Sequence, residues 1–242
     1  MRGTIIPKSI KDIFESACQP YEIPGVPIKL RTTLMDRFVL GRKCPSGYHE
    51  AEMAMWSVVF PGGVWLAHHI LNNPELFAGK KLVDIGSGSG IVAIAAAMVG
   101  ADVTAIDSSP CAFYAIGENA KLNDVSIQII QDDALLIPYF DDNCYDKADI
   151  ITAADTFYIH RGVDELIELL VSLAKEGKTV YATSHDEDIL PQLRAAGIQP
   201  ENVGGQLGFR ECFVKLTKPS LQVNEPNRVH RRRPRRLSTY RT

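Results

Sequence analysis

Three glycines spaced two apart follow an acid in the stretch Asp84, Ile85, Gly86, Ser87, Gly88, Ser89 and Gly90. Glycines at that spacing leave the backbone bare, so a ligand can approach main-chain atoms where side chains would collide. Read as a dinucleotide fingerprint, G-x-G-x-x-G from Gly86 needs glycine or alanine at position 91, which is Ile91. The acid two positions ahead of Gly86 points the same way, because a negative charge there repels a pyrophosphate. Asp84 instead suits a ligand that carries an ammonium. Asp107, 17 residues beyond Gly90, can accept two hydrogen bonds from ribose hydroxyls. Asp133, with Asp132 as its neighbouring rival, can accept one from an adenine amino group.

An ammonium, a ribose and an adenine without a pyrophosphate describe S-adenosylmethionine. Ser108, Ala134 and Ala154 adjoin the acids Asp107, Asp133 and Asp155 and complete the ligand contacts expected on this rim.

These residues need strand ends to hold them. The sequence predicts strands over Lys81–Ile85, Val103–Ile106, Ser126–Ile130, Ile150–Ala153 and Thr179–Thr183, alternating with helices over Ile91–Val99, from Ser109 as cap and Pro110 to about Leu122, and Val163–Leu173. Leu166, Leu169, Leu170 and Leu173 mark the inward face of the last. A helix over 189–196 and a strand over 212–216 follow, and an earlier helix carries Val64, Leu66, Ile70 and Leu71 and ends at Asn72, Asn73 and Pro74. Strands alternating with helices imply parallel pairing, right-handed crossovers and an open α/β sheet covered on both faces. Ligands of such sheets bind beyond the strand C-terminal ends, where the glycines and acids fall.

From about Met55 to Tyr158 the chain resembles class I S-adenosylmethionine-dependent methyltransferases, particularly the seven-strand lysine methyltransferases that include the electron transfer flavoprotein beta-subunit enzyme and its bacterial relatives. The resemblance rests on Trp56, on Phe60, Pro61, Gly62 and Gly63 where the group has W-P-G-G, on Asp84 to Gly90 as D-x-G-x-G-x-G, and on Asp155, Thr156, Phe157 and Tyr158 as D-x-x-Y. It implies a Rossmann-like sheet in the order 3-2-1-4-5-7-6 with the seventh strand antiparallel. It also implies cofactor contacts from Trp56, Phe60 and Gly62 in addition to the glycine loop, and a catalytic, substrate-binding role for Asp155 and Tyr158. Phe60 departs from the usual tryptophan.

Methyl transfer from a sulfonium is an in-line displacement that leaves S-adenosylhomocysteine; it needs alignment and exclusion of water rather than a metal or a covalent intermediate. An amine nucleophile must be unprotonated, and lysine, with a solution pKa near 10.4, must be desolvated or placed where a carboxylate takes its proton directly or through water. Asp155 is the residue for that task, and Tyr158 offers a hydroxyl or a ring face to a charged or flat substrate. The expectation is an N-methyltransferase with a protein lysine as acceptor. The rivals are a small, nicotinamide-like or other amine, an RNA acceptor, and a non-catalytic regulator that binds S-adenosylmethionine. His160 and His185 also fall near the rim, whereas His68 and His69 read as helix surface.

Of 242 residues, 45% are hydrophobic and 23% charged, which suits a folded core and excludes a disordered chain. Residues 1–49 read as an N-terminal extension with a short helix from Ser9 to Ala17, residues 50–219 as the methyltransferase domain, and residues 220–242 as a basic, disordered tail. That tail holds seven arginines against Glu225, a net +6, leaving −9 on the rest of a chain whose total is −3. Nucleic acid would therefore meet the tail, and the acidic body a neutral or basic partner. The longest uncharged apolar stretch, Ile91 to Ala101, falls short of the roughly 20 residues that span a bilayer. Five cysteines without a C-x-x-C pair argue for a reducing compartment and no zinc site. The N-terminus lacks an apolar signal region, and Arg2, Lys8 and Lys11 make a poor transit peptide, so no membrane partner and a cytoplasmic location are expected.

Overall fold

The computed structural model describes residues 10–11, 14–15, 18–23, 25–32, 56–157, 162–184, 189–196, 201–202 and 212–216. Its first strands, β1 (Gln19–Glu22) and β2 (Lys29–Thr32), pair antiparallel as a hairpin. There follow α1 (Pro61–Asn72), α2 (Pro74–Phe77), β3 (Lys81–Ile85), α3 (Ile91–Met98), β4 (Asp102–Asp107), α4 (Pro110–Leu122) and β5 (Gln128–Gln131). A 3-10 turn at Ile137–Tyr139 leads to α5 (Cys144–Lys147), β6 (Ile150–Ala154), α6 (Val163–Lys175), β7 (Thr179–Ser184), α7 (Ile189–Ala195), β8 (Glu201–Asn202) and β9 (Cys212–Leu216).

Seven strands form one sheet in the order β5-β4-β3-β6-β7-β9-β8, which is 3-2-1-4-5-7-6 when counted from β3. The pairs among β3 to β7 are parallel, and β9 runs antiparallel to β7 and β8. Consecutive strand residues feed opposite faces, as period-2 geometry requires. Leu82 and Ile150 join one core with α1 and α3, while Val83 and Ile151 join the other with α6. Burial on both faces explains why these strands are nearly continuous apolar runs.

Helix starts follow local chemistry. Ser109 caps α4 by accepting the N–H groups of Cys111 and Ala112, and Pro110 occupies the first helical position, where no donor is needed. On α6 the buried face is Leu166, Ile167, Leu170, Val171, Leu173 and Ala174, with Leu169 at its margin.

The stretch before residue 50, read as an extension, is packed where it is described. Ile23, Val26, Ile28 and Leu30 of the hairpin region belong to the same core as α1 and α3. Phe14, in a helical segment, stacks on Trp56 at 6.2 Å between ring centroids. Residues 220–242 lie outside the described residues. Among the described residues no helix is long and apolar enough to cross a membrane, and no cluster of His, Cys, Asp or Glu could hold a metal ion.

Candidate active site

The parallel register sets Asp84 of β3 beside Ala105 of β4 and Thr152 of β6, one residue short of the strand end. There it is 1% exposed. It accepts the Ser87 hydroxyl at 2.6 Å and the Thr152 hydroxyl at 2.7 Å, and the Ala93 N–H in the first turn of α3 also bonds it. Burial pushes its carboxyl up to about 6 against these donors, and nearby Asp107 adds to the rise. Asp84 thus underlies the loop instead of lining its open face, and it already supplies the negative charge that the N-terminus of α3 favours. A pyrophosphate would meet that charge; a cation would be attracted by it.

Above Asp84 the loop turns on glycines. Gly86 has φ +64°, and a Cβ there would lie 2.5 Å from the Thr156 methyl, so both conformation and space exclude a side chain. Ser87 is buried, and Gly88 and Gly90 continue the turn to α3. Gly88 passes close to the Trp56 main chain, its Cβ direction meeting Trp56 Cα and O at 3.7 Å.

Asp107 ends β4 and accepts the N–H of Gly88 at 2.9 Å through one oxygen and that of Ser109 at 2.9 Å through the other. Burial pushes its carboxyl up, opposed by those two donors. Each oxygen keeps a second lone-pair direction, enough for a pair of vicinal hydroxyls. Ser108 beside it is exposed. Asp133 lies on the exposed turn after β5, where it accepts the Leu135 N–H at 2.9 Å, and Asp132 accepts the Asp133 N–H at 2.8 Å. Ala134 follows, half-buried.

Ala154 ends β6 and leads into Asp155, a non-glycine residue at φ +54°. Its N–H donates to the Thr183 carbonyl at 3.1 Å and hydroxyl at 3.2 Å, which holds the unusual conformation. Its carboxylate accepts the Gly63 N–H at 3.0 Å, at the N-terminus of α1. A Cβ on Gly62 would stand 2.5 and 2.6 Å from the two carboxylate oxygens and would also collide with the Thr183 hydroxyl. Two glycines in a first turn weaken a helix; here they let an acid reach its end.

Phe60 is the half-buried N-cap residue of α1. Trp56 is 5% exposed and packs with Phe14, Cys18, Cys111, Ala112 and Ala115; its indole N–H has no partner among the described residues. Tyr158, His160 and His185 lie outside the described residues. His69, read as helix surface, is half-buried against Phe77 and Tyr181, and burial followed by the Lys215 charge holds its imidazole below the ordinary range. Thr152, Thr183 and Asn119 support the site without having been singled out, and Gly63, quoted only as part of the W-P-G-G-like segment, supplies an N–H to Asp155. For the two threonines the signal was a hydroxyl within an otherwise apolar buried strand.

Residues 69–183 match the family described as ribosomal protein L11 methyltransferase (PrmA). The electron transfer flavoprotein beta subunit lysine methyltransferase of Danio rerio is 38% identical over 120 residues, covering 48% of this chain and 43% of that protein. The Rattus norvegicus counterpart is 38% identical over 134 residues, covering 53% and 51%, so the chain spans about half the length of these relatives. A crystal structure of ribosomal protein L11 methylase from Lactobacillus delbrueckii subsp. bulgaricus superposes with a TM-score of 0.53 at 26% identity, over 66% of this chain and 80% of that one. Sheet order, glycine loop and sequence likeness converge on one fold, that of class I S-adenosylmethionine-dependent methyltransferases.

Proposed function

We propose that the protein transfers the methyl group of S-adenosylmethionine to an amine, and that this amine is a lysine side chain of another protein. The observation that carries the reading is Asp155, an acid held at φ +54° on the rim beside the glycine loop, with its carboxylate bonded to the N-terminus of α1. The names of relatives point to protein acceptors, and a further one, EEF1A lysine methyltransferase 3 of Xenopus tropicalis, is 27% identical over 165 residues.

The residues present fit the cofactor. The bare backbone at Gly86 and Gly88 admits a ligand to van der Waals contact. Asp107 has lone pairs left for the ribose hydroxyls, Asp133 is exposed at the place expected for adenine, and Asp84 supplies negative potential beneath an ammonium. Trp56 borders the loop and Gly62 borders Asp155, with Phe60 at the N-cap of the same helix as Gly62. The cofactor supplies a methyl group on a sulfonium whose departure neutralises the sulfur.

As the methyl moves, positive charge passes from sulfur to the acceptor nitrogen. A fixed carboxylate at Asp155 stabilises that charge where it develops and orients the amine through a hydrogen bond. The amine sheds its proton to Asp155 directly or through water, and the D-x-x-Y pattern assigns Tyr158 to the acceptor.

Incubation with methyl-labelled S-adenosylmethionine and a cell lysate, followed by separation of protein, RNA and small molecules, tests the reading. Label in protein that vanishes with Asp155→Ala supports it. Label confined to small molecules keeps methyl transfer but replaces the acceptor, and tight cofactor binding without label replaces the enzyme by a binding protein.

A further inference from the structure

The hairpin and the glycine loop are far apart in sequence, yet one side chain bonds both. Asn119 of α4 and Asn123, the C-cap residue that follows it, lie one turn apart and face the free edge of β2. Asn123 accepts the Lys29 N–H at 2.9 Å and donates to the Lys29 carbonyl at 2.7 Å. Asn119 accepts the Arg31 N–H at 2.8 Å and donates to the Arg31 carbonyl at 3.5 Å. The two amides therefore take the place of a neighbouring strand, satisfying edge groups that would otherwise need water.

Asn119 does more. Its amide nitrogen also donates to the carbonyl of Ser89, inside the glycine loop, at 2.9 Å, and the residue is 0% exposed. A primary amide has two N–H donors and one oxygen, and here all are committed between hairpin and loop. One turn earlier on α4, Ile116 packs against the Cβ direction of Gly90 at 3.4 Å. The N-terminal residues reach the loop a second way. Arg31 donates to the carbonyl of Cys18 at 3.3 Å and its guanidinium lies 4.9 Å above the Phe14 ring. Phe14 stacks on Trp56, whose main chain borders Gly88.

We propose that Asn119 is a positioning residue for the cofactor loop, and that through its bonds to Ser89 and Arg31 cofactor binding is coupled to the N-terminal hairpin. The inference rests on the reading that this loop binds S-adenosylmethionine. Asn123 provides the control, since it holds the same hairpin without touching the loop. With hairpin docking lost at Asn119, the Ser89 carbonyl loses its donor and the loop its fixed geometry; with docking weakened at Asn123, the bond to Ser89 stays.

Full-length Asn119→Ala and Asn123→Ala proteins are titrated with S-adenosylhomocysteine by calorimetry, at a temperature where circular dichroism shows both folded. Both variants melt earlier than the unaltered protein. Asn119→Ala binds at least tenfold more weakly, whereas Asn123→Ala stays within threefold of the unaltered protein. Equal affinities in the two variants would overturn the proposal. If the unaltered protein binds no S-adenosylhomocysteine, the cofactor reading fails first, which is a separate result. Should Asn119→Ala not fold, hydrogen exchange on the unaltered protein decides: by reciprocity, saturating ligand slows exchange at Lys29 and Arg31, and unchanged exchange there contradicts the coupling.

Discussion

The carboxylate of Asp155 accepts the backbone N–H of Gly63 at 3.0 Å, across 92 residues of sequence. One bond thus joins the acid after β6 to the first turn of α1, and it explains two features together. Gly62 and Gly63 occur where a helix would otherwise favour better formers, and Asp155 keeps a left-handed backbone that Thr183 clamps. The acid is fixed in place before any substrate arrives.

Asp155→Asn separates charge from shape. The amide oxygen can still accept from Gly63, so the fold and cofactor affinity are retained, the latter within about threefold. Turnover falls on the order of 10²-fold or more, the loss expected when a fixed charge at the transition state is removed. Calorimetry and single-turnover kinetics on the variant measure the two quantities; unimpaired turnover would remove Asp155 from the chemistry.

Gly62→Ala tests the same contact from the other side. The added methyl collides with the Asp155 carboxylate and the Thr183 hydroxyl, neither of which is the free end of a long side chain. The expected cost is about 1–3 kcal/mol of stability from overpacking, together with a turnover loss comparable to that of Asp155→Asn. Thermal melts and rates serve as readouts, and a variant as active as the unaltered protein would show that the acid can move freely.

Asp84 makes stability depend on pH. Folding raises its carboxyl from 3.8 to about 6, so the folded protein binds this proton more tightly than the unfolded chain. Its contribution is therefore fully present below about 4 and is lost as pH rises through about 6. Asp84→Asn lacks that loss. In urea melts without ligand, the stability of the variant relative to the unaltered protein should improve between pH 4 and pH 8 by on the order of 2–3 kcal/mol. A pH-independent difference would mean that Asp84 is not a buried, strained anion.

The same titration should appear in cofactor affinity. If the ionised Asp84 is the form that attracts the ammonium, roughly one molecule in ten is competent at pH 5 and affinity drops about tenfold from its value at pH 8. Asp107→Ala removes both partners of the Gly88 and Ser109 N–H groups as well as the ribose acceptor, and costs on the order of 10²-fold or more in affinity at either pH. Calorimetric titrations at the two pH values check both statements.

The α/β core was legible because local chemistry and periodicity agree there. Ser109 and Pro110 start α4, the glycines punctuate the β3–α3 turn, and the apolar runs at Ile150 and Thr179 form strands. The hairpin was not, because its edge is satisfied by Asn119 and Asn123, which lie 88 and 94 residues away and look like ordinary polar positions on a helix. The acids fall at or just past the C-terminal ends of β3 to β6, but spacing along a chain does not tell which way a carboxylate faces. Asp84 turns under the loop toward Ser87 and Thr152, and Asp155 toward α1, because tertiary donors outcompete the open rim.

The most direct test of methyl transfer to lysine is mass spectrometry of lysate protein after incubation with methyl-labelled S-adenosylmethionine and either the unaltered protein or Asp155→Asn. Labelled methyllysine at a defined site, produced by the first and lost with the second, is the expected result. Label in RNA or in a small amine, with no methyllysine in any protein, would contradict it.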